Sequence, residues 1–249
     1  MSAGTARAWV GRIQPYLDLV ATLAIIAIGV VTLARTPGQP APPRQNAGRA
    51  QPSTPAVPKD PIALPASAML GSPSAGLALV EYSDFQCPYC AQFARDTLPQ
   101  LRRSLIDTGR LVFAFKYTPL SSIHPMAVAA AQGAECAGRQ GRFWPMHDRL
   151  FADPKQIDES FVARAAQDLG LDRGSFADCL RADGAARVTE DAKLAESLGI
   201  TGTPTFMLGR VLPDQRVKVL RTFVGAQTAK QFEDAVADLE SALTHKPVN

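Results

Sequence analysis

The chain has 249 residues, of which 46% are hydrophobic, so it is long and apolar enough for one large domain or two small ones with a real core. Its formal net charge is +3 at pH 7, but six basic residues against two acidic ones give the first 60 residues a charge of +4, which leaves −1 for the remainder. The basic excess belongs to the N-terminal part, which excludes a nucleic-acid footprint on the globular part, and no nucleic acid is expected as a partner.

The first hydrophobic segment is an uncharged run of 16 residues from Leu19 to Ala34. Its length approaches the roughly 20 residues with which a helix crosses a hydrocarbon layer, whereas the apolar part of a secretory signal typically has about 7 to 15 residues. We therefore expect residues 1–35 to form a cytoplasmic tail and a single transmembrane anchor, with a cleaved signal peptide as the alternative.

A proline-rich segment follows the hydrophobic run. Residues 36–66 contain nine of the 20 prolines and almost no large apolar side chains. Such a composition stays extended and unpacked. We therefore expect a linker over residues 36–69 and one domain over residues 70–249.

The first predicted strand ends at a pair of cysteines. Residues Leu77–Phe85 suit a buried strand, and Cys87 and Cys90 come directly after it. From Cys90 onward, apolar residues recur at helical spacing, and Pro99 is expected to kink the helix. Residues Leu111–Leu120 have the composition of a second strand. This strand–helix–strand order predicts two parallel strands joined by a right-handed crossover.

A long helical region and a hairpin complete the domain. Helices are expected over Pro125–Ala137, Phe143–Phe151, a segment from Asp158 to Gly170, Phe176–Leu180 and Ala185–Leu198. Strands are expected at Thr205–Gly209 and Val217–Gly225, and a last helix from Thr228, whose spacing to Gln231 is that of a capping box. This order predicts an α/β domain that resembles the thioredoxin fold, with a large helical insertion over about residues 121–200.

Four cysteines occur, at positions 87, 90, 136 and 179. A structural metal site needs two further ligands near the C-x-x-C pair, and the other cysteines and histidines are scattered, so no metal is expected. At the first turn of a helix, unpaired N–H groups and the helix dipole stabilise a thiolate and lower its pKa. Cys87 is therefore predicted to be an exposed redox nucleophile, and Cys90, one turn on, the resolving thiol.

Three segments carry a resemblance to a known family. They are FQCPYC after the first strand, TGTPTF before the hairpin, and AAQGAECAGRQGRFWPMHDRLF in the helical region. From about Leu70 to the C-terminus, the chain resembles the DsbA-like thiol-disulfide oxidoreductases of bacterial envelopes, within the thioredoxin superfamily. The resemblance implies a cis peptide bond between Thr203 and Pro204, where the Thr203 backbone pairs with an extended substrate strand. Pro88 and Tyr89 complete the implied substrate-binding residues.

The resemblance also implies a buried acid and a second cysteine bridge. Glu81 matches the position of the family's acid beneath the disulfide, where it would exchange a proton with Cys90. Lys116 on the next strand is its expected charge partner, although strand alternation leaves open that Glu81 faces solvent. Cys136 and Cys179 are expected to pair, which would stabilise the fold by up to roughly 4 kcal/mol, with two buried free cysteines as the alternative.

These features predict an extracytoplasmic enzyme that needs no bound cofactor. The favoured hypothesis is oxidation of cysteine pairs in reduced exported proteins, with a quinone-linked membrane partner of the DsbB or VKOR type restoring the Cys87–Cys90 disulfide. A second bridge favours an oxidising compartment, which together with the anchor places the domain outside the cell membrane. The alternatives are an envelope reductase or isomerase kept reduced by a membrane electron donor, and a non-enzymatic copper-binding or holdase module.

Overall fold

The structure is a computed structural model that describes residues 55–65, 67–158, 160–182 and 184–244. The run at Leu19–Ala34, predicted to be an anchor or a signal, lies outside these residues. Among the helices that are described, none is both long and apolar enough to cross a membrane.

One mixed sheet forms the centre of the described part of the chain. Its strands are β1 (Ile62–Ala63), β2 (Met69–Leu70), β3 (Leu77–Ser83), β4 (Leu111–Tyr117), β5 (Thr205–Val211) and β6 (Arg216–Val224). Their order across the sheet is β1-β6-β5-β3-β4-β2. β3 and β4 run parallel, as the predicted crossover requires, and the other neighbours run antiparallel. Every residue of β3 and β4 is buried, because side chains from other elements cover both faces of these central strands.

β1 lies inside the segment predicted to be a linker, and β2 begins at the last residue of that segment. Ile62 is aligned with Val217 of β6, and Met69 is aligned with Ala114 of β4. The packed part of the chain therefore begins before the predicted boundary at Leu70. Each of these strands has only two residues, which is too short for an alternating pattern to reveal it in the sequence.

The helix that follows β3 contains two wide turns. α1 (Pro88–Gln92) continues through a π-helical turn at Phe93–Thr97 into α2 (Leu98–Leu101), and a second π-helical turn follows at Arg102–Ile106. Pro99 lies between the two turns. Because Pro99 has no N–H to donate, the helix accommodates it with wider turns instead of ending there.

Helices fill the connection between β4 and β5, and one more follows β6. They are α3 (Ala127–Arg139), α4 (Phe143–Ala152), α5 (Phe161–Asp168), α6 (Arg173–Arg181), α7 (Gly184–Ser197) and α8 (Ala229–Thr244), with a 3-10 turn at Pro154–Gln156. This order confirms the predicted thioredoxin-like α/β plan with a helical insertion. The capping box before α8 is also formed, since the Thr228 N–H donates to Gln231 Oε1 at 2.9 Å.

The core consists of three groups of buried side chains. Leu79 and Phe113 pack with α2 and α8 on one face of the sheet. Val80 packs with α7 on the opposite face. The third group joins side chains of the helical insertion to Cys87, Cys90 and neighbouring residues of β4. The two cysteines therefore lie where the first helix meets the insertion.

Candidate active site

Cys87 and Cys90 lie at the start of α1, directly after the loop that leaves β3. Cys87 precedes the helix and has an extended backbone (φ −74°, ψ 122°), and Pro88 takes the first helical position. The Cys87 carbonyl accepts the hydrogen bond of Ala91 N–H at 3.1 Å. The predicted placement of Cys87 at a helix N-terminus is therefore confirmed.

The exposure of Cys87 differs from the prediction. Cys87 is only 4% exposed and Cys90 is fully buried. The Cys87 Sγ–H donates to the carbonyl oxygen of Thr203 at 3.3 Å, so the loop that contains Thr203 covers the sulfur. The Thr203–Pro204 peptide bond is cis, as the resemblance implied. This loop is more than 100 residues away from Cys87 in sequence. The position of Cys87 at a helix start therefore could not predict that the loop buries its sulfur.

The other predicted substrate-binding residues differ in their exposure. Pro88 is exposed, and the Tyr89 side chain between the two cysteines is 61% exposed. Pro204 is buried, and its carbonyl accepts the N–H of Gly225 at 2.8 Å. The loop on one side of Cys87 is therefore held to the end of β6, whereas the residues on the other side face solvent.

The two active-site thiols differ in acidity. Hydrogen bonding from the Cys90 thiol is the largest effect on Cys87 and, against the opposing effect of burial, it lowers the pKa of Cys87 to about 6. The Thr203 side chain and the N–H groups at the helix start lower it further. Burial raises the pKa of Cys90 well above its ordinary range, and the interactions with Cys87 and Glu81 act in the same direction. At neutral pH Cys87 is therefore a thiolate and Cys90 a thiol.

Glu81 is buried beneath the cysteine pair, not exposed to solvent. It is 1% exposed, and its Oε1 accepts the Ser83 hydroxyl at 2.7 Å. Its Oε2 is buried without a partner among the described residues. Burial is the main effect that raises the pKa of Glu81 to about 8; the Ser83 hydrogen bond opposes it, and the charge of Cys87 adds to it. Because both faces of β3 are covered, alternation does not bring Glu81 to the surface.

Lys116 is not the charge partner of Glu81, and this prediction is wrong. The parallel register aligns Glu81 with Phe115 and Tyr82 with Lys116, so Lys116 points to the opposite face of the sheet. There its Nζ lies 2.7 Å from Asp191 Oδ1 of α7, and both side chains are buried. A difference of one residue in register decides which face receives the lysine.

A buried aspartate holds the loop that carries Cys87, and the sequence analysis did not single it out. Asp84 Oδ1 accepts the Gln86 N–H, and its Oδ2 accepts the Leu120 N–H, both at 2.7 Å. Its Oδ2 also lies 2.9 Å from Nδ1 of His124. Gln86 Oε1 in turn accepts the Met126 N–H at 2.6 Å. A signal was available, since an aspartate directly after a strand often bonds the backbone two residues on.

Cys136 and Cys179 form the disulfide that the resemblance implied. Their S–S distance is 2.01 Å and their Cα atoms are 5.7 Å apart, so the bond joins α3 to α6. Gly184, the first residue of α7, packs on this bond: a Cβ added there would lie 2.8 Å from Cys136 Sγ. The disulfide and Gly184 together join three helices of the insertion.

The metal-ligating residues of the described ranges are dispersed. Within these ranges, no three His, Cys, Asp or Glu side chains lie close enough together to hold a metal ion. The two active-site thiols therefore have no third ligand of these types in the part of the chain that is described.

Comparisons with known proteins agree with this fold. A family profile described as Thioredoxin matches residues 64–226. The crystal structure of α-DsbA1 from Wolbachia pipientis superposes with a TM-score of 0.62 at 23% identity, covering 73% of this chain and 94% of that one. A thioredoxin-like oxidoreductase from Silicibacter pomeroyi DSS-3 superposes with a TM-score of 0.56 at 26% identity, covering 71% of this chain and 94% of that one.

The curated relatives are longer proteins of which only a part is similar to this chain. The Na(+)/H(+) antiporter NhaA 3 of Salinispora tropica is 39% identical over 140 residues, which is 55% of this chain and 21% of the antiporter. This chain thus matches about a fifth of that protein's length. The transport activity in its name describes that protein and is not transferred to this chain.

Proposed function

The chain belongs to the thioredoxin family, and on that premise we propose that it catalyses thiol-disulfide exchange through Cys87 and Cys90. The observation that carries the proposal is the difference between the two sulfurs: Cys87 has a pKa of about 6, whereas burial raises the pKa of Cys90. The thiolate is both the attacking and the leaving form of sulfur in exchange reactions. This difference favours Cys87 as the sulfur that meets the substrate and Cys90 as the resolving sulfur.

In the oxidising direction, a substrate thiolate attacks Cys87 Sγ, the Cys87–Cys90 bond breaks, and its electron pair goes to Cys90 Sγ. A second substrate thiolate then attacks the substrate sulfur of the mixed disulfide and releases Cys87 as a thiolate. Cys87 leaves readily because its pKa is about 6, below that of an ordinary thiol. The products are an oxidised substrate and a reduced Cys87–Cys90 pair.

Glu81 supplies the proton that Cys90 needs when it leaves. Cys90 is fully buried, so a thiolate left there would have no water to stabilise it. Glu81 has a pKa of about 8 and therefore carries a proton at neutral pH, which it can transfer to the Cys90 sulfur. When the pair is oxidised again, the Glu81 carboxylate accepts this proton.

An extended substrate segment binds beside Cys87, along the backbone of Thr203 and Pro204. The contact between the Thr203 carbonyl and Cys87 Sγ supports this position, because a strand at Thr203 is then next to the reactive sulfur. Pro88 and the exposed ring of Tyr89 contact the substrate on the other side of the cysteine.

The substrates are reduced cysteine pairs of exported proteins, and a quinone-linked membrane partner of the DsbB or VKOR type reoxidises the enzyme. The domain then works on the extracytoplasmic side of the cell membrane as part of a single-pass protein. Two features support this location: the hydrophobic run from Leu19 to Ala34, and the Cys136–Cys179 bond, since structural disulfides persist in oxidising compartments.

The reduction potential of the Cys87–Cys90 couple tests the direction of the reaction. We expect a value near about −120 mV, typical of a strong oxidant, whereas a value near about −270 mV would assign the protein to the reductases. The full chain should also accelerate the oxidation of a reduced, unfolded test protein, and the Cys87→Ser variant should not. A wild-type protein that leaves the uncatalysed rate unchanged would contradict the proposed function.

A further inference from the structure

When the Cys87–Cys90 bond breaks, the Cys90 sulfur needs a proton, and this proton has to come from inside the protein. Cys90 is fully buried, and both Glu81 and Ser83 are at most 2% exposed. Glu81 and Ser83 are separated by one residue on β3, so their side chains point to the same face of the sheet. Two buried polar side chains therefore lie on one face of β3, beneath the cysteine pair.

The Ser83 hydroxyl interacts with both groups that exchange the proton. Its Oγ–H donates to Glu81 Oε1 at 2.7 Å. A hydrogen bond from Ser83 also lowers the pKa of Cys90, against the larger effect of burial. A hydroxyl has one proton to donate and two lone pairs to accept with, so it can receive a proton on one side while it gives one up on the other.

We propose that Ser83 relays the proton between Glu81 and Cys90. The inference rests on the proposed exchange function and adds to it a residue that neither the motif nor the resemblance assigned. Ser83 shares a face of β3 with Glu81 and donates to it at 2.7 Å, and a hydrogen bond from the same side chain acts on the Cys90 thiol.

The relay step conserves protons and electrons. When a substrate thiolate attacks Cys87, the Cys87–Cys90 bond breaks and its electron pair goes to Cys90 Sγ. The Ser83 Oγ–H proton then moves to Cys90 Sγ, while the proton of the Glu81 carboxyl moves to Ser83 Oγ. Cys90 becomes a thiol, Ser83 remains a hydroxyl, and Glu81 becomes a carboxylate that accepts the Ser83 hydrogen bond.

The titratable groups on the neighbouring elements do not replace this path. On β4, burial and Glu135 raise the pKa of Tyr117 well above its ordinary range, so it stays neutral. On α4, burial lowers the pKa of His147, whose ring packs against Phe85 and Phe115. Cys87 acts on both Glu81 and Cys90, but it is the sulfur under attack and does not supply the proton.

A two-phase reaction with Ellman's reagent isolates the proton transfer. In the first phase Cys87 attacks the reagent, forms a mixed disulfide and releases one thionitrobenzoate. In the second phase Cys90 loses its proton, attacks Cys87 Sγ and releases a second thionitrobenzoate, at a rate independent of reagent concentration. Only the second phase needs proton transfer from Cys90, so it reports on the relay alone.

Ser83→Thr and Ser83→Val form a matched pair, since both add bulk but only threonine keeps the hydroxyl. We expect Ser83→Val to slow the second phase by roughly 100-fold and leave the first phase unchanged, while Ser83→Thr restores most of the rate. In the wild type, the second phase should accelerate with pH as Glu81 ionises. In Ser83→Val it should instead follow the ionisation of Cys90, at higher pH.

The Glu81→Gln variant tests whether Glu81 and Ser83 act on the same proton-transfer path. If the two residues act in series, the Glu81→Gln, Ser83→Val double variant is no slower than the slower single variant. Equal second phases in Ser83→Val and Ser83→Thr, or additive effects in the double variant, would overturn the relay. These outcomes differ from a failure of the proposed function, in which the wild type completes both phases and yet does not oxidise or reduce protein substrates.

Discussion

Asp84 Oδ2 lies 2.9 Å from Nδ1 of His124, and this contact ties the loop that carries Cys87 to the loop before α3. The same carboxylate accepts two backbone N–H groups, of Gln86 and Leu120. The position of Cys87 therefore depends on a buried side chain that takes no part in the exchange chemistry.

Asp84→Ala leaves these donors unpaired and should lower the free energy of unfolding by roughly 3 kcal/mol, measured by denaturant titration. Asp172→Ala is the matched control: Asp172 is exposed and caps α6 by accepting the N–H of Ser175 at 2.8 Å, so its loss should cost about 1 kcal/mol. Equal costs for the two variants would show that the Asp84 contacts do not hold the loop.

Glu81 should make the reduced protein less stable as the pH rises. Its pKa is about 8 when folded and 4.5 as an ordinary side chain, so between these values the folded state binds more protons than the unfolded state. The stability contributed by its protonated form is complete below about pH 4.5 and is lost as the pH rises through 8. The difference in unfolding free energy between wild type and Glu81→Gln should therefore change by up to about 4 kcal/mol across this range. A difference that does not vary with pH would mean that Glu81 titrates normally.

The Thr203 hydroxyl should help to keep Cys87 ionised. Thr203 Oγ1 has no partner among the described residues when Cys87 is a thiol, and its interaction with Cys87 lowers the pKa of the thiol. In Thr203→Val, the midpoint of the pH dependence of Cys87 alkylation should move upward from about 6. Thr222→Val removes another buried hydroxyl that is unpartnered in the described structure, and it should leave the midpoint in place. If both variants moved the midpoint equally, the effect would not belong to the Thr203 contact.

The two residues of the buried Lys116–Asp191 pair should differ in how much their replacement destabilises the protein. Asp191→Ala leaves Lys116 as an uncompensated buried charge and should cost roughly 3 to 5 kcal/mol of stability. Lys116→Met should cost less, because Asp191 keeps Arg187 at 3.3 Å and the N–H of Tyr117 at 3.3 Å. Denaturant titration of both variants measures the two costs.

Lys116→Met should also leave the second Ellman phase unchanged, because Lys116 lies on the face opposite Glu81. A slower second phase in this variant would restore the discarded pairing of Lys116 with Glu81.

Gly184 should tolerate no side chain. Gly184→Ala would bring a Cβ within 2.8 Å of Cys136 Sγ, whose position the disulfide restrains, and should cost roughly 1 to 3 kcal/mol. Gly174→Ala in α6 is the control, since its added Cβ would meet only Asp172 Oδ1 at 3.5 Å; it should be neutral or stabilising by up to about 1 kcal/mol. Thermal unfolding compares them, and equal melting temperatures would contradict close packing at Gly184.

Local patterns in the sequence predict most of the element order. The buried strand at Leu77–Ser83, the helix start at Pro88 and the capping box at Thr228 each depend on neighbours a few residues away, so spacing and residue type identify them. β1 and β2 were not predicted, because a strand of two residues is too short to show an alternation of buried and exposed side chains. The Cys136–Cys179 pairing came from the family resemblance, since residues 43 positions apart leave no local signal.

By itself, the sequence determined that two cysteines stand at the start of a helix after a strand, because that arrangement is written within ten consecutive residues. Only the tertiary structure decided what surrounds them: the Thr203 carbonyl over Cys87, Ser83 beside Glu81, and Lys116 on the far face. The physical reason is that strand register decides which face of the sheet a side chain is on, while loops distant in sequence decide whether it is buried and which group it contacts. These long-range contacts set the burial and charge that determine the acidity of each group.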